Sequence, residues 1–84
     1  MIKKYFLPTN DTATLYLPEY GKILKVGEQN GELYVWAMGT RETLVPHTFR
    51  IFGTGATLPE DEDLTHLDTV FVGTFVWHVF LKHN

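Results

Sequence analysis

Apolar and polar positions alternate along this chain in short runs, and the runs are cut apart by Gly, Pro, Asn and Asp. The clearest case is residues 22–38, KILKVGEQNGELYVWAM, where two alternating runs meet at Asn30-Gly31. That dipeptide between β-branched and aromatic residues predicts a hairpin with a type I′ turn, which needs positive φ at both central positions. The turn sets a register: Gln29 opposite Glu32, Val26 opposite Val35, Lys25 opposite Trp36, Leu24 opposite Ala37. One face then carries Leu24, Val26, Leu33, Val35 and Ala37 as a core face. The other carries Ile23, Lys25, Tyr34, Trp36 and Met38, with Gly27 opposite Tyr34 so that an aromatic ring can cover the bare backbone.

The same alternation predicts strands at residues 2–7, ended by Pro8, and at 13–17, with Ala13, Leu15 and Leu17 inward. The lysines of the first suit a sheet edge. Residues 39–46 read as a polar connection, and 47–52 as a fifth strand running into Gly53-Thr54-Gly55. Residues 56–63 read as a solvated, mobile loop, because Glu60, Asp61, Glu62 and Asp63 are consecutive and repel one another. The last pair, 67–72 and 75–82, meets at Gly73-Thr74, suited to a type II′ turn, with His83 beyond it in a loose terminus.

Both faces of the final strand are apolar: Phe75, Trp77, Val79 and Leu81 on one, Val76, His78 and Phe80 on the other. Such a strand is central in a sandwich or pressed against a partner, and a chain this short covers it poorly alone. Phe75, Trp77 and Val79 are therefore expected at a contact between copies, in a homo-oligomer. The whole reads as one all-β domain over residues 1–84, a small antiparallel sandwich or partly open barrel of about seven short strands.

Composition narrows the setting. Without cysteine there is no disulfide or thiolate zinc site, as expected of a reducing cytoplasm. No apolar run is long enough to span a membrane, and residues 1–5 lack the apolar stretch of a signal peptide. The net charge of −3 gives no overall basic footprint for nucleic acid, so a polyanion would have to meet a local patch.

Candidate chemistry is sparse. Gly53-Thr54-Gly55 with Arg50 nearby reads either as a backbone N–H nest for an anion or as a plain turn. Trp36 and Tyr34 with Lys25 across the strand read either as a platform for a nucleotide-like ring and its phosphate or as ordinary cross-strand packing. The four histidines are scattered singly, without metal-ligand spacing, and no metal or cofactor is expected. The acidic run lacks the spacing of a calcium loop. With no serine elbow, Cys-His arrangement or rigid carboxylate pair, an enzyme is not expected.

K-Y-x-L near residues 4–7, D-x-x-T-L-x-L-P near 11–18, K-I-L-x-V-x-x-Q-N-G at 22–31, Trp36-Ala37, F-R-I-x-G-T-G at 49–55, the L-P-x-D that follows, and V-W-H-V-F at 76–80 together span nearly the whole chain. In this order they resemble a family of small phage and prophage proteins carrying a domain of unknown function. The chain is shorter than that pattern at residues 40–46 and at Gly73-Thr74. The resemblance implies a phage setting, in the cytoplasm of an infected bacterial host, and no particular activity.

Two functions from different classes follow as expectations. The first is a non-enzymatic, homo-oligomeric immune-evasion binder that sequesters a nucleotide-derived small-molecule signal through Arg50, Gly53, Thr54, Gly55, Trp36, Tyr34 and Lys25, with no direct nucleic-acid or membrane partner. The second is an inhibitor that meets a host defence or nucleic-acid enzyme with its acidic and aromatic surface.

Overall fold

The computed structural model describes residues 1–83. Among them there is no helix; the strands are β1 (Ile2–Leu7), β2 (Thr12–Pro18), β3 (Lys22–Gln29), β4 (Glu32–Met38), β5 (Leu44–Gly53), β6 (Asp63–Val72) and β7 (Phe75–His83). All pairings are antiparallel, in a three-stranded sheet of order β1-β4-β3 and a four-stranded sheet of order β2-β5-β7-β6. The fold is thus the small sandwich that the alternation predicts, without barrel closure. Leu7, Val26, Leu33, Val35 and Ala37 from one sheet meet Ala13, Leu17, Phe49, Ile51, Val70 and Val79 from the other to form the core. The Cα envelope is only 16 Å in its thinnest direction, two layers deep, so each sheet keeps one face outward.

The β3–β4 hairpin turns at Asn30 (φ 55°) and Gly31 (φ 83°), the two positive values a type I′ turn requires. Gln29 pairs with Glu32, Val26 with Val35 and Lys25 with Trp36, as expected. The register then slips: Ile23, not Leu24, faces Ala37. Leu24 is the extra residue of a bulge and is 43% exposed, while Ile23 packs on the core, so the expected sides of these two residues are exchanged. Gly27 does face Tyr34, but the ring over it is that of Trp36, whose Cζ3 lies 3.3 Å from where a Cβ would sit.

Two strands begin earlier than the sequence suggests. β5 starts at Leu44 because residues 44–47 pair with Pro18, Leu17, Tyr16 and Leu15 of β2, ahead of the stretch from Thr48 on that also pairs with β7. β6 starts at Asp63, with a register shift between His66 and Asp68 that masks its alternation. His83 is not loose: it pairs with Asp63 and its Nε2 is hydrogen-bonded to Thr65 Oγ1 at 2.6 Å.

β7 lies between β5 and β6, and the chain itself covers much of it. Val79 is fully buried between the sheets, which removes it from any contact between copies. Trp77 packs against the core and stacks on Phe75 at 5.6 Å, leaving Phe75, 61% exposed, as the outlying member of the expected contact set. The edges of β3 and β6 approach each other but form no ladder. Instead the Val26 N–H donates to Asp68 Oδ2 at 3.2 Å.

Candidate functional site

On the outward face of the three-stranded sheet, pairing sets the side chains in rows. Lys4, Trp36 and Lys25 form one row; Phe6, Tyr34 and Gly27 the next; Ile2, Met38 and Lys22 the row on the other side. The absence of a side chain at Gly27 leaves room for the indole of Trp36, whose Cζ3 lies 3.3 Å from where a Cβ would sit, with lysines on both sides of Trp36 in its row. Phe6 and Tyr34 meet edge-on at 5.8 Å, and Tyr34 and Trp36 at 6.1 Å. Lys4 Nζ stands 4.5 Å above the Tyr34 ring and donates to Gln29 Oε1 at 2.6 Å, so its side chain spans the sheet from β1 to β3. Lys25 has 64% of its side chain exposed and pairs with Asp68 at 3.5 Å, a contact of little strength in water. Among the described residues Lys22 has no carboxylate partner within salt-bridge distance.

Arg50 and Gly53-Thr54-Gly55 lie on the outward face of the other sheet, so the sandwich core separates them from Lys25, Tyr34 and Trp36. Gly53-Thr54-Gly55 forms a β-turn closed by the Ala56 N–H donating to the Gly53 carbonyl at 3.1 Å, with Gly55 at φ 92°. The amide used in that bond is the one of Ala56. Arg50 is also committed. Its Nε donates to the Asp11 carbonyl at 3.1 Å, its guanidinium lies 4.9 Å above Phe52, and its Nη1 is paired with Glu62.

Glu62 corrects the expectation of a uniformly solvated acidic run. It turns inward between Arg50 and Lys82, the latter at 3.7 Å. The hydrogen bond from Arg50 holds its carboxyl below the ordinary glutamate range, with the charges of Arg50 and Lys82 adding to the effect. Thus pinned, the loop from Gly53 lies beside Phe52, Leu58, His78 and Phe80, around a half-open cleft of about 230 Å³. Thr54 Oγ1 and His78 Nε2 are hydrogen-bonded at 2.9 Å in it, and Thr69 Oγ1 lies 3.0 Å from His78 Nδ1 and 2.9 Å from His66 Nε2. These polar groups satisfy one another. No group of three or more His, Cys, Asp or Glu among the described residues could hold a metal ion.

The hairpin register made Lys25, Trp36 and Tyr34 legible as neighbours. Lys4 and Phe6 were not, because only the long-range β1–β4 pairing brings them alongside. Alternation of K-K-Y-F about a hairpin rich in aromatics was the available signal.

The chain is therefore a small antiparallel β-sandwich that presents a lysine-flanked aromatic sheet face. It belongs to a protein family described as a domain of unknown function, DUF7352, whose profile matches residues 1–84. No curated protein and no solved structure matches it.

Proposed function

We propose that this protein is a non-enzymatic binding module that takes a nucleotide-derived small molecule on the face of the three-stranded sheet. One observation carries the reading: the Trp36 indole beside the bare backbone of Gly27, in a row with Lys4 on one side and Lys25 on the other. A planar base stacks on such a ring, and ammonium groups at its flanks suit phosphates. An open face encloses nothing, and small-molecule sites are normally concave, so sequestration calls for a second copy closing over the ligand. The resemblance to phage proteins supplies only the setting, the cytoplasm of an infected bacterium, and in that setting the reading is of an accessory protein that removes an immune signal.

Calorimetry with cyclic oligonucleotides and ADP-ribose derivatives tests this, with the oligomeric state measured alongside. Binding that is lost in Trp36→Ala and in the Lys4→Ala/Lys25→Ala pair is the expected result. No heat from any of these ligands with folded protein overturns the reading.

A second reading, inhibition of a host protein, is favoured by exposed aromatics beside the β6–β7 turn: Phe71 is 71% exposed and Phe75 lies close in the chain. Under that reading a host defence or nucleic-acid enzyme is inhibited by the wild type and not by Phe71→Ser/Phe75→Ser. Equal inhibition by both proteins removes it.

A further inference from the structure

The rows of the aromatic face extend past the space one nucleotide needs. Beyond the Lys4-Trp36-Lys25 row stand Phe6 and Tyr34 on one side and Lys22 on the other, with two residues of strand, about 6.6 Å, between successive rows. Glu32, paired with Gln29 at the far end, is the one carboxylate in these rows. A chain of net charge −3 thus gathers Lys4, Lys22 and Lys25 on one aromatic sheet surface, the local basic patch that its overall charge conceals.

We infer that this face binds single-stranded nucleic acid, an inference that rests on the nucleotide-stacking reading above and extends its ligand from a single nucleotide to a strand. Charge complementarity selects the occupant. Repeated anionic groups linked to planar rings match alternating lysines and aromatics, and sheet faces bearing aromatics take unstacked bases in this way. Openness, which is a defect for enclosing a small molecule, suits a strand that enters and leaves at the sheet edges. One base lies on Trp36. Lys4, released from Gln29, uncovers Tyr34 for a neighbouring base and meets the phosphate between them. Lys25 exchanges Asp68 for a second phosphate, and Lys22 meets the next. The reading uses shape and charge, without contacts that read sequence.

The test is calorimetric titration with a mononucleotide, with oligothymidylates and oligouridylates of roughly 4 to 16 nucleotides, and with duplex DNA. Affinity should rise with length, and duplex should bind more weakly than single strand because its bases are already stacked. The plot of log K against log salt should have a slope of about −2 for an oligomer held by three lysines. Trp36→Ala should weaken oligomer binding about tenfold. Lys22→Ala, a change at an exposed side chain, should reduce the oligomer slope by about 0.7 and leave mononucleotide binding unchanged. Mononucleotide binding with no gain from length, or a slope indifferent to Lys22, overturns this inference and leaves the small-molecule reading standing. Silence toward mononucleotide and oligomers alike overturns both.

Discussion

The backbone N–H of Val26 donates to the Asp68 carboxylate across the gap between the two sheets, at 3.2 Å. Val26 belongs to β3 and Asp68 to β6, each the edge of its sheet, so one side chain makes the bond that a strand-to-strand ladder would otherwise make. Asp68→Ala leaves that amide without its partner and should cost about 1.5 kcal/mol, the low end for a charged acceptor because the site is partly exposed. Asp68→Asn, which keeps an acceptor oxygen, should cost less. Urea denaturation of the two variants checks the order.

The bulge at Leu24 makes a sharper demand. Ile23→Lys places a charge against the core and should be severely destabilising, whereas Leu24→Lys, at an exposed position, should change stability by no more than about 0.5 kcal/mol. Thermal melts of both proteins decide which residue faces inward. The plain two-residue alternation requires the opposite result.

That reversal marks where the sequence stops being legible. Turns are local chemistry, so Asn30-Gly31 and Gly73-Thr74 could be placed from residue type, and the strands beside them followed. Bulges are settled by what the strand must meet elsewhere. The shifts at Leu24 and Leu67 occur on β3 and β6, the edges bridged by Asp68, and no neighbouring residue announces them. The start of β5 was hidden for a similar reason, since Leu44 and Val45 are held by a strand more than 25 residues earlier. In the candidate site, Trp36, Tyr34 and Lys25 came from the hairpin, while Lys4 and Phe6 depended on a long-range pairing. Within one chain Arg50 and Gly53-Thr54-Gly55 sit on the outward face opposite Trp36, a placement set by the sheet pairing and not by the hairpin register.

Gly27 keeps the Trp36 ring low. A Cβ there would meet the indole at 3.3 Å, close enough that the ring must give way. Gly27→Ala should cost about 1 kcal/mol, the lower end for overpacking because Trp36 is only half-buried and can shift. Its emission should move to longer wavelength as the ring lifts into water. Ligand affinity should fall with it, and calorimetry with the best-binding nucleotide reads that loss.

Glu62 gives a stability that depends on acidity. Its carboxyl is held below the ordinary value of 4.5 in the folded chain, mainly by the Arg50 hydrogen bond. The unfolded chain therefore takes up the proton first on acidification. The contribution is complete above about pH 4.5 and drains away as the pH falls through the folded value. Urea midpoints measured from pH 7 down to pH 3 should decline in the wild type. In Glu62→Gln they should be lower at neutral pH and decline less.

The gathering of Lys4, Lys22 and Lys25 on one sheet face of a molecule that is negative as a whole makes its surface charge uneven. An anionic body nearby exerts a torque on such a molecule before any atom touches. Added electrolyte, by shortening the reach of that torque, slows productive encounters before it weakens the contacts themselves.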